Sequence, residues 1–243
     1  ATLIKQGDGI TQKEILNKKV VDIVRHKQHP LKPSKKVFQE DVIGHKVIEI
    51  NNIGKLLLIK MSSDKYIAVH LSMTGLLLYN KRDPYVKLSF KFGDDTELNY
   101  STVRMFGFLE VWTRDEVEIY RENKGKSILD EELVEEEFIK LFKNRKGSIK
   151  NMLLNQKIVS GIGNIYANDA LYLAGIHPEI KAHKVPETKL GKLFNNLKNL
   201  LKEGIKNRGS SIDRYRDIYG EKGTKQNYFR VYDKENSECK NCG

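Results

Sequence analysis

Cys239 and Cys242 are the only cysteines in the chain, and they stand at C-x-x-C spacing in "SECKNCG". A thiolate pair at this spacing supplies half of a four-ligand tetrahedral zinc site, or the dithiol of a redox centre. No βαβ pattern surrounds the pair, which disfavours the redox reading. A second stretch, "VSGIGNIYAND" from Val159 to Asp169, sets Gly161 and Gly163 around Ile162 and then opens a helix at Asn164. Glycine lets a backbone come close to a phosphate, and a helix N-terminus presents unpaired N–H groups to it. The strand-then-helix context of a dinucleotide fold is absent, so that reading fails. A tight turn between helices and a turn that grips a nucleic-acid phosphate both remain open. Arg145, Lys146 and Lys150 precede the turn, a basic cluster suited to phosphates.

The elements that must position these residues are of two kinds. The first half holds short apolar runs, "KLLLIKM" from Lys55 and "YIAVHLS" from Tyr66. In "YVKLSFKF", Val86, Leu88, Phe90 and Phe92 face one way and Lys87, Ser89 and Lys91 the other. These patterns predict strands of a sandwich or flattened barrel. "GDDT", Gly93 to Thr96, is turn chemistry leading into "ELNY". Near Arg121 the polar "YRENKGKS" reads as a linker. Beyond it Val134, Phe138, Leu141 and Phe142 recur at helical spacing, and Ser148 is placed to cap a helix carrying Ile149, Met152 and Leu153. "NIYANDALYLAG" is a further helix, stopped by Gly175 and Pro178. Pro186 then opens a long amphipathic helix through Leu190, Leu193, Phe194, Leu197, Leu200 and Leu201. The expected fold class is α+β.

Lys and Arg number 43 against 32 Asp and Glu, a formal charge of +11, with a pI near 9.4. That surplus favours a polyanionic partner, nucleic acid or an anionic membrane surface, over the bland alternative of simple solubility. No run of about 18 apolar residues exists, so no membrane span is expected. Two cysteines cannot build a disulfide framework. No signal-peptide pattern opens the residues, and a cytoplasmic location is expected.

Taken in order, "IGK" ending at Lys55, "HLSMTG" (His70 to Gly75), "VRMFG" (Val103 to Gly107), "GIGNIYANDALYLAGIHPE" and "GEKGTKQNYFRVY" before "CKNCG" resemble one set of motifs. They are those of the formamidopyrimidine-DNA glycosylase/endonuclease VIII family. The segment "RGSSIDRYRDIYGEKGTKQNYFRVY" is similar to the long base-recognition loop of the formamidopyrimidine branch, which implies oxidised purines as substrate. The resemblance implies an N-terminal β-sandwich over 1–122, a helix–two-turn–helix domain over 123–234 and the start of a zinc finger over 235–243.

Such enzymes flip the damaged base out of the duplex, because the glycosidic carbon is out of reach inside the stack. By resemblance Met73, Arg104 and Phe106 fill the gap, the first and last as apolar wedges and the arginine at the orphaned base. On residue type alone Met73 and Phe106 are core residues and Lys55 is an exposed strand-end lysine. The resemblance instead makes Lys55 catalytic, at the lesion's phosphates, and makes Arg145, Lys146, Lys150 and Asn164 DNA contacts. It also implies damaged double-stranded DNA as the partner, a monomer, and structural Zn2+ at Cys239 and Cys242. One departure is Asp83, where the family commonly carries a DNA-contacting histidine; Lys81 and Arg82 stand beside it.

The family's N-terminal Pro-Glu pair supplies a secondary amine that attacks the sugar and an acid that helps open its ring. "ATLIKQGDGI" contains no such pair; it is expected ahead of Ala1, as the rest of the zinc finger is expected beyond Gly243. The 243 residues alone are expected to bind DNA without cleaving it. The expected function is a DNA glycosylase and abasic-site lyase, the alternative a catalytically silent damaged-DNA-binding protein of the same fold.

Overall fold

The computed structural model describes residues 14–26 and 33–239. They form two compact units that do not follow chain order. The first runs to Lys124 and takes in Ile205–Thr224; the second is Gly125–Gly204 with the residues from Lys225 onward.

The first unit is built of two antiparallel sheets. One has the order β1 (Val20–Arg25), β6 (Val86–Phe92), β7 (Glu97–Ser101), β5 (Leu76–Tyr79). The other has the order β2 (Val47–Ile53), β3 (Leu56–Met61), β4 (Tyr66–His70), β8 (Phe108–Trp112). Leu57 and Ile59 of β3, Leu88 and Phe90 of β6, and Tyr100 of β7 belong to one core that both sheets feed. β3 shows no alternation because both of its faces are covered. Leu57, Ile59 and Met61 join the main core, while Leu56 and Leu58 pack with Val117 on the other side.

β6 alternates as its sequence predicts, yet its polar face is not solvated. Ser89 and Asn99 are fully buried and hydrogen-bond each other, with His26 Nε2 2.8 Å from Ser89 Oγ. Burial is tolerated because each group finds a partner. Asn99 Nδ2 donates to Glu97 Oε1 at 2.8 Å, and Arg82 clamps both Glu97 oxygens at 2.6 Å each. Lys91 adds a second cation.

Two helices of this unit escape a reading based on apolar runs. α1 (Lys35–Val42) is started by Ser34, whose hydroxyl accepts the Val37 N–H, and it buries Phe38 and Val42 one turn apart. α2 (Arg114–Glu122) opens on a capping box, Thr113 and Glu116 each accepting the other's backbone N–H. Tyr120 and Arg121 therefore lie inside a helix, and only the residues from Asn123 onward are left to link.

The second unit is helical: α3 (Glu135–Lys143), α4 (Ile149–Leu154), α5 (Asn164–Ala174) and α6 (Glu187–Lys206). Phe138 sits between Phe142 and Phe194 at ring distances of 4.8 and 5.2 Å. Gly175, at φ 61°, ends α5 in the left-handed conformation that glycine adopts freely. Ser148 does occupy the N-cap of α4, but its hydroxyl makes no capping hydrogen bond there. Among the described residues no helix is long and apolar enough to cross a membrane.

The Glu97 cluster sets an acid limit on the first unit. Arg82 first, then Lys91 and Asn99, hold its carboxyl at about 2 against an ordinary 4.5. A depressed carboxyl pKa stabilises the fold fully above the unfolded value, and that stabilisation is lost as pH falls from about 4.5 through about 2. Because Arg82 is half exposed, its worth is on the order of 1–2 kcal/mol. Glu97→Gln should lower the melting temperature at pH 7 and flatten its fall between pH 4.5 and pH 2, as read by calorimetry.

Candidate nucleic-acid interface

Leu56, His70 and Phe108 pair side by side across β3, β4 and β8. One end of this sheet therefore presents three things together: Lys55 ahead of β3, the loop 71–75 after β4, and the loop 102–107 before β8. The two loops are locked by close approach. A Cβ on Gly107 would lie 2.2 Å from the His70 carbonyl oxygen, and one on Gly75 would lie 2.3 Å from that of Leu71. Neither gap admits a side chain. Thr74, buried between the loops, accepts the Arg104 N–H at 3.1 Å, and its hydroxyl lies 3.3 Å from that of buried Thr102.

That lock fixes what projects. Met73 and Phe106 are 67% and 69% exposed, the two most exposed large hydrophobics among the described residues. Each follows a residue held at positive φ, Ser72 at 53° and Met105 at 51°. Such backbone costs energy for a residue with a side chain and gathers at functional loops. Arg104 is exposed on the same loop as Phe106. The residue-type reading of Met73 and Phe106 as core is thereby overturned.

Lys55 keeps solvent access, yet the protein around it makes its charge costly and lowers its pKa from the ordinary 10.5. His70 is likewise pushed below 6.5, first by desolvation and then by the Lys55 charge. Its ring stacks on Phe108 at 5.6 Å. The sheet thus carries a lysine, a histidine and two apolar projections at one end.

In the second unit the glycine turn is held by a residue that no motif flagged. Gln156 donates to the carbonyls of Leu154 and Ile162 at 3.0 and 3.1 Å and accepts the Gly161 N–H at 2.9 Å. Gly161 sits at φ 89°, and Ile162 is buried. Gly163 caps α5 without a side-chain hydrogen bond, and Asn164 stands exposed at its first position. Arg145 and Lys146 are exposed between α3 and α4, and Lys150 is half-buried in α4. Asp169 of α5 is buried, and its carboxylate accepts the backbone N–H groups of Arg230, Val231 and Tyr232 at 3.0 to 3.2 Å. The only sequence signal for it is an acid among alanines and leucines. Cys239 is half-buried; Cys242 lies outside the described residues.

Residues 8–109 match the formamidopyrimidine-DNA glycosylase N-terminal domain, and residues 125–216 match the H2TH domain of the same enzymes. The chain belongs to the formamidopyrimidine-DNA glycosylase family. The formamidopyrimidine-DNA glycosylase of Pelotomaculum thermopropionicum is 33% identical over 217 residues, 87% of this chain and 79% of that protein. That of Lactobacillus johnsonii is 33% identical over 213 residues, 85% and 77% of the two chains. Among solved structures, a complex between the Lactococcus lactis Fpg and an abasic site containing DNA superposes with a TM-score of 0.89 at 29% identity. It covers 99% of this chain and 90% of that one.

Asp83, expected to stand where the family's pattern has a histidine, is not left bare. Ser101 Oγ donates to one of its oxygens and Arg214 to the other, each at 2.6 Å.

Removing an exposed side chain costs little, whereas adding an atom where backbone already touches costs more. Met73→Ala and Phe106→Ala should each leave the melting temperature within about 2 °C of the parent, within the ~0.5 kcal/mol usual at surface positions. Gly107→Ala should destabilise by about 1–3 kcal/mol. Thermal melts of the three variants check this directly.

Proposed function

We propose that this chain is a base-excision-repair DNA glycosylase acting on damaged double-stranded DNA as a monomer. The full-length enzyme removes oxidised purines and then cleaves the strand at the abasic site. The observation that carries the reading is the locked pair of loops holding Met73 and Phe106 out of the core beside Arg104. Two apolar side chains standing in water are unfavourable alone and favourable in the gap left by a flipped base. Arg104 supplies donors for the base that has lost its partner.

Lys55 serves the lesion's phosphates, and a lysine with a lowered pKa exchanges its proton more readily during elimination. The glycine turn, with exposed Asn164 at the N-terminus of α5, takes a further phosphate. Arg145, Lys146 and Lys150 add sequence-independent attraction. The amine that forms the imine with the sugar is, by family resemblance, that of an N-terminal proline. Cys239 and Cys242 have the chemistry for two thiolate ligands of a structural zinc ion. Asp169 ties down residues 230–232, seven positions before Cys239, and so steadies the approach to them.

Binding to a duplex carrying an abasic-site analogue, followed by fluorescence anisotropy, tests the reading. Affinity should exceed that for intact duplex and fall by on the order of 10³ between ~50 and ~200 mM salt, as several phosphate contacts require. Met73→Ala and Phe106→Ala should erase most of the preference for the lesion. Equal affinity for intact duplex, or a flat salt response, would sink the proposal. In the full-length protein, borohydride should trap a covalent adduct on abasic DNA. Lesion-selective binding without trapping or base release would mean a silent damage reader.

A further inference from the structure

Residues 205–224, which hold most of the stretch similar in sequence to a base-recognition loop, pack with the β unit, and two different anchors hold them there. One is apolar. Ile218 is buried in the core between the sheets, and its carbonyl accepts the Tyr79 N–H at 2.7 Å on β5, the edge strand. Tyr219 packs against the same core, and its hydroxyl donates to Glu14 at 2.9 Å. The other anchor is ionic, and it lies four residues upstream. Arg214 donates to Asp83 Oδ2 at 2.6 Å, reaches Ser101 Oγ at 3.4 Å, and stacks its guanidinium 4.4 Å from the centre of the Tyr85 ring.

Among the described residues three ion pairs involve this segment, and they are not equivalent. Lys81–Glu221, at 2.9 Å, is more than half exposed on both sides and so contributes little. Arg208–Asp217 joins two residues of the segment itself and cannot hold it to anything else. Arg214–Asp83 spans 131 positions of sequence, with both side chains under a quarter exposed. Arginine suits this place because its flat fork can bond a carboxylate and lie on an aromatic face at once. One cost remains: Arg214 Nε is buried without a hydrogen-bond partner.

We propose that Arg214 is the positioning residue of the base-reading segment. Its clamp on Asp83 and Tyr85 keeps residues 210–216 docked on the β unit before any lesion arrives. The inference rests on the glycosylase reading above and extends it, because the ordering cost of the reading loop is then met on folding rather than on binding. Arg214 touches no reacting atom in this account. It acts through the backbone it holds.

The test uses the full-length protein, compared with Arg214→Ala, Arg214→Lys and the charge swap Asp83→Arg with Arg214→Asp. Hydrogen exchange reads docking without any need for activity. Amides of Gly220, Glu221, Gly223 and Thr224 bond within the segment and should exchange at least about tenfold faster in Arg214→Ala. Arg214→Lys, which keeps charge but loses the fork, should fall between, and the swap should recover part of the protection. Single-turnover release of an oxidised purine should slow about tenfold in Arg214→Ala, while cleavage of a preformed abasic site, which has no base to read, stays within twofold. Unchanged exchange, or equal loss of both reactions, would overturn the proposal. A parent protein that releases no base would instead overturn the glycosylase reading, and exchange would still decide whether Arg214 docks the segment.

Discussion

An apolar side chain left in water gains nothing from packing, so the hydrophobic effect cannot hold it in place. Met73 and Phe106 are in that position, and backbone alone must aim them. The means is one buried hydroxyl, Thr74, reaching from one loop to the Arg104 N–H and the Thr102 hydroxyl of the other. Everything behind it serves that meeting. The loops emerge side by side because β4 and β8 pair, His70 opposite Phe108. They approach closely because Gly107 leaves the His70 carbonyl room. The strands keep register because Val69 and Leu109 are fully buried on the core side of the same pairing. A change of face in either strand would move both projections at once.

Charge is organised on the same logic of partnership. Many cations of this basic chain are spent internally: Arg82 and Lys91 on Glu97, Arg214 on Asp83, and fully buried Lys225 on Glu203 at 2.8 Å. Arg82 and Lys91 share the one charge of Glu97, the other two pairs each cancel one charge of either sign, and the surplus of +11 is untouched. The surplus is therefore carried by cations free to meet a polyanion, while the paired ones specify where loops and strands sit. Lys225 stands at the point where the chain leaves the β unit, and Arg230 also approaches Glu203, at 3.8 Å.

The sequence announces elements with a strong period and conceals contacts made over distance. β6 and α6 are legible because their apolar residues repeat every second or every third to fourth position. α2 was hidden because its one buried residue, Val117, leaves no stripe, although "TRDE" spells out its capping box. Whether Met73 and Phe106 face core or solvent cannot be read from residue type, since both are ordinary core residues. Only their motif pointed outward. Asp169 and Arg214 left almost no signal, because a bond to a group 61 or 131 positions away has no spacing rule, and Gln156 braces a turn that belongs to no helical or strand period. Each is a polar residue whose role depends on which strand or tail the fold brings to it.

The order of residues along the chain has a consequence for synthesis. The core of the β unit needs Ile218, and its edge strand β5 bonds to the same residue, but the ribosome delivers it only after the helices of the second unit. Between Lys124 and Thr224 lie 100 positions, a delay of about 5–20 s at ~5–20 residues per second. During that interval the nascent sandwich has an uncovered edge at Tyr79 and an unfilled place in its core. The last piece of the sandwich's core thus follows the whole helical half, up to Gly204, out of the exit tunnel.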